Sequence, residues 1–158
     1  MYQIDQSGKI EQTERHTVIA FTNSKNYSVL LKKTEKRLLQ RFFKDAESLN
    51  YFPYFTFAVL IAILIKEVKP KYKITIDKEY YGHEELILKK ITLYLEILGI
   101  KKSPNLEFGH IGKLSKAHNY GYRVAMKKEK PSKIISAKEV MAIILGTKKS
   151  VNDRLTQE

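Results

Sequence analysis

With 158 residues and 43% hydrophobic content, the chain holds enough apolar material for one domain with a real core and too little length for two comfortable ones. It has no cysteine, which excludes disulfides, iron–sulfur clusters, thiolate zinc sites and a cysteine nucleophile, and fits a reducing compartment. Twenty-nine Lys and Arg against 17 Asp and Glu give a formal charge of +12, which favours an anionic partner rich in phosphate, nucleic acid ahead of an anionic membrane surface.

The N-terminus, MYQIDQSGKIEQ, lacks the basic segment, apolar core and small-residue cleavage site of a secretory signal, so a cytoplasmic location is expected. Three short strands come first. Tyr2-Gln3-Ile4-Asp5 opens with alternation, Ser7-Gly8-Lys9 supplies a turn or bulge, and His16 to Thr22 is rich in β-branched and apolar residues. After the turn Asn23-Ser24-Lys25-Asn26 comes Tyr27 to Leu31, completing an antiparallel meander. Thr34 then reads as the N-cap of an amphipathic helix through Phe43, with Lys32, Lys33, Lys36, Arg37 and Arg41 on its basic face.

A second helix, from about Pro53 to Val68, is apolar nearly all round. Its apolar run is shorter than the ~20 residues that span a bilayer, so a buried central helix and no membrane partner are expected. Lys69-Pro70 ends it, and Tyr72 to Asp77 reads as a fourth strand. A third amphipathic helix runs from His83 to Leu98 and stops at Gly99. A fifth strand covers Asn105 to Ile111, and Ser115 is the candidate N-cap of a helix that Lys127 to Pro131 closes. Ser136-Ala137-Lys138-Glu139 has capping-box spacing, which places a last short helix at Ala137 to Leu145 before a polar tail from Gly146.

Three strands, helical material, a strand ending in Asp77, a helix, a fifth strand and a helix form an order that resembles the ribonuclease H-like superfamily. That group includes ribonucleases H, Holliday-junction resolvases, transposases and the slicing domain of Argonautes. The resemblance covers roughly residues 1–130, leaving 131–158 as an appendage. It implies an α/β fold, a mixed five-stranded sheet with helices on both faces, and acidic residues gathered on the adjacent central strands one and four. Asp5, in Ile4-Asp5-Gln6, matches the strand-one position, and Asp77 matches the strand-four position. The last ligand position, near the start of the final helix, falls where this chain offers His118, a residue some members use there.

The chemistry such a site needs is a pair of divalent cations about 4 Å apart, one activating water and the other stabilising the leaving oxygen of a phosphodiester. Carboxylates on neighbouring strands supply hard oxygen ligands with little flexibility. Asp5 also fits a turn-initiating aspartate, and Asp77 a solvated strand end. Glu35 is the candidate on the first helix, although the helix dipole alone accounts for an acid in that turn. Glu79, Glu84 and Glu85 are held in reserve, ranked below Asp77 because acids are ordinary at a helix start. His83 and His110 lack zinc-pair spacing with His118, and no HExxH is present. Lys113, Lys116 and Arg123 surround His118 and could neutralise phosphates, with Tyr120 or Tyr122 stacking on a base, while Lys36 and Arg37 form a second basic face. Snorkelling lysines and core tyrosines are the plain alternative.

The expectation is therefore a Mg2+- or Mn2+-dependent endonuclease using Asp5, Asp77, Glu35 and His118, acting on DNA or RNA and possible as a homodimer. The rival is a non-catalytic nucleic-acid-binding module on the same fold.

Overall fold

In the computed structural model, residues 2–23 and 25–146 are described; Ser24, within the expected turn, and the tail after Gly146 lie outside them. The chain forms β1 (Tyr2–Ser7), β2 (Thr17–Thr22), β3 (Asn26–Leu31), α1 (Lys33–Asp45), a 3-10 turn at Leu49–Tyr51 and α2 (Phe52–Val68). Then follow β4 (Ile74–Asp77), α3 (Glu84–Ile97), β5 (Leu106–Gly109), α4 (Lys116–Ala125) and β6 (Lys133–Ile135). Residues 137–146 are helical.

The fold is α/β, with a mixed sheet in the order β5-β4-β1-β2-β3-β6. β2 runs antiparallel to β1 and β3, whereas β1 with β4, β4 with β5, and β3 with β6 are parallel. Six strands replace the expected five. The sixth, β6, lies in the segment set apart as an appendage, and its neighbours Ile135, Ala137 and Val140 are fully or almost fully buried in the main core. Residues 131–146 are thus integral to the sheet layer.

The sheet alternates as its pleat requires. Ile4, Ile19, Phe21, Val29, Leu31, Ile74 and Ile76 face the large core built with α1, α2 and α3. α2 is apolar on all sides because it is surrounded: 12 of its 17 residues are buried. The stretch Leu49–Val68 is long and apolar enough to cross a membrane, but 61% of its most apolar window is buried in this core. The opposite face carries a smaller cluster of Val18 and Ala20 with Tyr120 and Val124 of α4.

Close approach sets the height of α4. A Cβ added at Gly121 would lie 3.2 Å from the Ala20 Cβ and 4.0 Å from the Ser7 Cβ. Only a residue without a side chain lets the helix rest this near β1 and β2.

α1 begins differently from the expectation. Thr34 is not its N-cap; Lys32 occupies that position and makes no side-chain capping bond. The first helical N–H, that of Lys33, instead donates to His16 Nδ1 at 2.9 Å, satisfying one of the donors a helix start leaves unpaired. Burial, followed by the positive charges of Lys33, Lys127, Lys32 and Lys36, holds the His16 imidazole below its ordinary range, which keeps Nδ1 an acceptor.

A candidate metal centre at the carboxyl ends of two parallel strands

Register brings the two aspartates together. Ile4 of β1 lies opposite Ile76 of β4 in a parallel pair, so Asp5 and Asp77 are the next residues of adjacent strands. Ile4 and Ile76 point into the main core; the following residues therefore point to the α4 side. Asp5, Asp77 and Glu79, two residues beyond the end of β4, each present a carboxylate oxygen within 4.8 Å of the others. Among the described residues they form the one group of three or more acids, histidines or cysteines so placed.

Each aspartate anchors one end of the same segment. Ile111 N donates to Asp77 Oδ1 at 2.9 Å, and His118 Nδ1 lies 2.8 Å from Asp5 Oδ2. Ser115 caps α4 as its position suggests, its Oγ accepting from His118 N at 3.0 Å. The backbone of His118 is thereby fixed before its ring reaches Asp5. Between the two anchors, Lys113, Leu114 and Lys116 are exposed, Leu114 almost wholly at 96%.

Tyr80 holds the Glu79 segment from behind. Its hydroxyl accepts from Gln6 Nε2 at 3.1 Å and from Ile10 N at 3.0 Å, and donates to Glu11 Oε1 at 3.2 Å. One buried phenol therefore ties β1, the loop after it and the end of β4. Burial pushes this hydroxyl well above its ordinary range, so it remains protonated.

Burial and mutual repulsion govern the charges. Asp5 is pushed up to about 6, chiefly by burial, with the bond from His118 opposing and the Asp77 charge adding to the rise. Glu79 is pushed up to about 8 by burial, then by its hydrogen bond to Asp77 and by the charges of Asp5 and Asp77, with Lys9 opposing. At neutral pH Asp5 is ionised while Glu79 keeps a proton it shares with Asp77. Three hard oxygen donors, one of them kept protonated by burial and by the two neighbouring carboxylates, suit a divalent cation whose charge takes the place of that proton.

The remaining expected residues divide. Glu35 is not in the cluster: its Oε1 accepts from Ala137 N at 3.0 Å, beside Ser136 Oγ, which accepts from Glu139 N at 3.1 Å. Glu35 and Ser136 together cap the helix at 137–146. Lys36 is fully buried and off the surface; its Nζ donates to the carbonyls of Lys9, Gln12 and Arg15 at 2.9, 2.6 and 2.7 Å, so no proton is left for a phosphate. Tyr120 is a core residue bonded to Ser28 Oγ at 2.9 Å, whereas Tyr122 is 51% exposed. Arg37 is exposed. Arg123 Nε pairs with Glu129 Oε1 at 2.7 Å and, with Lys116, Asn119 and Asn26, lines a cavity of about 300 Å³.

Glu84 and Glu85 begin α3 and are absent from the acid group. Glu79, grouped with Glu84 and Glu85 as an acid before a helix start, stands instead in the loop after β4 beside Asp5 and Asp77; its spacing of two from Asp77 is the available signal. Comparison with protein-family models, with curated proteins and with solved structures gives no match to this chain.

Proposed function

We propose that this chain is a ribonuclease H-like, divalent-metal-dependent nuclease that hydrolyses phosphodiester bonds of DNA or RNA. The observation that carries this reading is the convergence of Asp5, Asp77 and Glu79 at the ends of adjacent parallel strands. The resemblance implies neighbouring strands one and four with acids at those positions, and the pairing of β1 with β4 supports it.

Asp5, Asp77 and Glu79 are the residues that would hold Mg2+ or Mn2+, which supplies Lewis acidity toward a phosphoryl oxygen and an activated water. The protein's own groups do the rest. Asp5 orients the imidazole of His118 through Nδ1. With Asp5 ionised, that nitrogen carries the proton and Nε2 is left as the acceptor that can take or return one. The segment between the two anchors presents Lys113 and Lys116, and Lys9 lies close enough to lower Glu79. These cations draw phosphates toward an acidic centre that would otherwise repel them.

Cleavage of labelled single-stranded, duplex, hybrid and branched substrates with Mg2+ or Mn2+ tests the reading. Activity in the wild type that Asp5→Asn and Asp77→Asn abolish supports it. Equal activity in all three proteins removes the site assignment, and salt-sensitive binding without cleavage in any condition favours the non-catalytic module.

A further inference from the structure

At the other end of β4 from the acids lies a cavity of about 650 Å³, between the C-terminal ends of α2 and α3 and the segments leading into β4 and β5. Its floor is apolar, with Ile65, Leu98 and Ile100, and the ring of Tyr72 lines it while remaining 69% exposed. Tyr72 is braced by Tyr2, ring centroids 5.6 Å apart, which holds a flat aromatic surface beside the floor.

The rim is cationic. Lys66, Lys69, Lys71, Lys73 and Lys102 line the cavity and no acidic residue does. Lys73 is paired with Glu107 at 2.8 Å; the other four have no ion pair among the described residues. The plain explanation is that lysines neutralise helix C-termini. Two helix ends carry about −0.5 charge each, so they account for about one of the four positive charges. A surplus of about +3 remains against an apolar and aromatic floor. A single carboxylate, as on a fatty acid, leaves most of that surplus unmatched. An aromatic body bearing two or three phosphates matches both parts, and the volume lies in the range of small-molecule sites.

We propose that this cavity binds a nucleoside di- or triphosphate, its base against Tyr72 and its phosphates among Lys66, Lys69, Lys71 and Lys102. The site is separate from the acidic cluster and does not depend on the nuclease reading.

The test is calorimetric titration of the full chain with ATP in the presence of EDTA, with amide chemical-shift mapping to locate the site. Saturable binding with shifts at residues 66–73 and 98–105 is expected. Tyr72→Ala and the double variant Lys69→Glu/Lys102→Glu should each weaken it by about tenfold or more, while Asp77→Asn leaves it unchanged. Inorganic triphosphate binding as tightly as ATP overturns the proposal, since charge alone then suffices. So does an equal loss from Lys128→Glu/Lys130→Glu, which lie outside the cavity, or the absence of saturable binding in the wild type.

Discussion

Replacing Lys36 with methionine tests how the loop behind the acidic centre is held. The ammonium of Lys36 is out of contact with solvent and bonds three backbone carbonyls, of Lys9, Gln12 and Arg15, at 2.6–2.9 Å. Burial pushes its titration down to about 8, with Glu14 and Glu11 opposing, so it is charged at neutral pH. Methionine fills the space of the aliphatic stem and donates nothing. Arg15 O then loses the ammonium that satisfies it, while Lys9 O and Gln12 O keep the N–H groups of Gln12 and Arg15; the three lost bonds cost about 1 kcal/mol each, moderated by water reaching the exposed loop, and relief of the buried charge offsets part of this. A net loss of about 2 kcal/mol follows, a melting point lower by about 4–8 °C for a domain of this size. Faster amide exchange should accompany it at Gln12 and Arg15, whose N–H groups bond Lys9 O and Gln12 O within the same loop. Thermal unfolding by circular dichroism and hydrogen exchange measure both. A variant melting with the wild type and keeping its protection at those amides would show that Lys36 does not hold this loop.

Three further outcomes follow from the site. Asp5 and Glu79 titrate higher in the fold than in the unfolded chain, so each contributes stability at low pH that is lost as pH rises, between about 4 and 6 for Asp5 and about 4.5 and 8 for Glu79. The metal-free melting point should therefore fall across that window, and Glu79→Gln should flatten its upper half; an unchanged slope contradicts the assigned cause. Gly121→Val drives a side chain into Ala20, costing about 1–3 kcal/mol, and should lengthen the contact between His118 and Asp5, seen as a perturbed imidazole resonance in NMR. His118→Ala should lower cleavage by roughly 10²- to 10⁴-fold with little change in metal affinity. It also removes the bond that lowers Asp5, so the acid limb of the rate profile should move to higher pH; an unmoved limb separates His118 from Asp5.

Asp5 and Asp77 are legible through the order of elements, which resembles a fold with acids on adjacent strands one and four; β1 and β4 do pair in parallel, with Asp5 inside β1 and Asp77 at the end of β4. Glu79 was obscured because a turn has no period. The short β6 was missed for a different reason: Lys133-Ile134-Ile135 is too brief to declare itself, and it exists as a strand through pairing with β3. Lys36 misled by its charge. It sits three residues before Leu39 and seven before Phe43, on the buried stripe of α1, and its surroundings, three carbonyls brought in by a loop more than twenty residues earlier, have no trace in local sequence. His16 as the acceptor at the start of α1, and Glu35 as the cap at Ala137, are likewise long-range partnerships. Local spacing offers only Thr34 for the first and a helix-dipole acid for the second, to which the resemblance adds a metal role.

Asp5, Asp77 and Glu79 are placed so that together they could hold a divalent cation. Calorimetric titration of Mn2+ into the wild type and into Asp5→Asn, Asp77→Asn and Glu79→Gln tests it most directly. Saturable binding to the wild type that releases protons below pH 8 is expected, because Glu79 must ionise, with a loss of at least about tenfold in affinity in each variant. Wild-type affinity retained in all three variants, or no binding to the wild type, would contradict it.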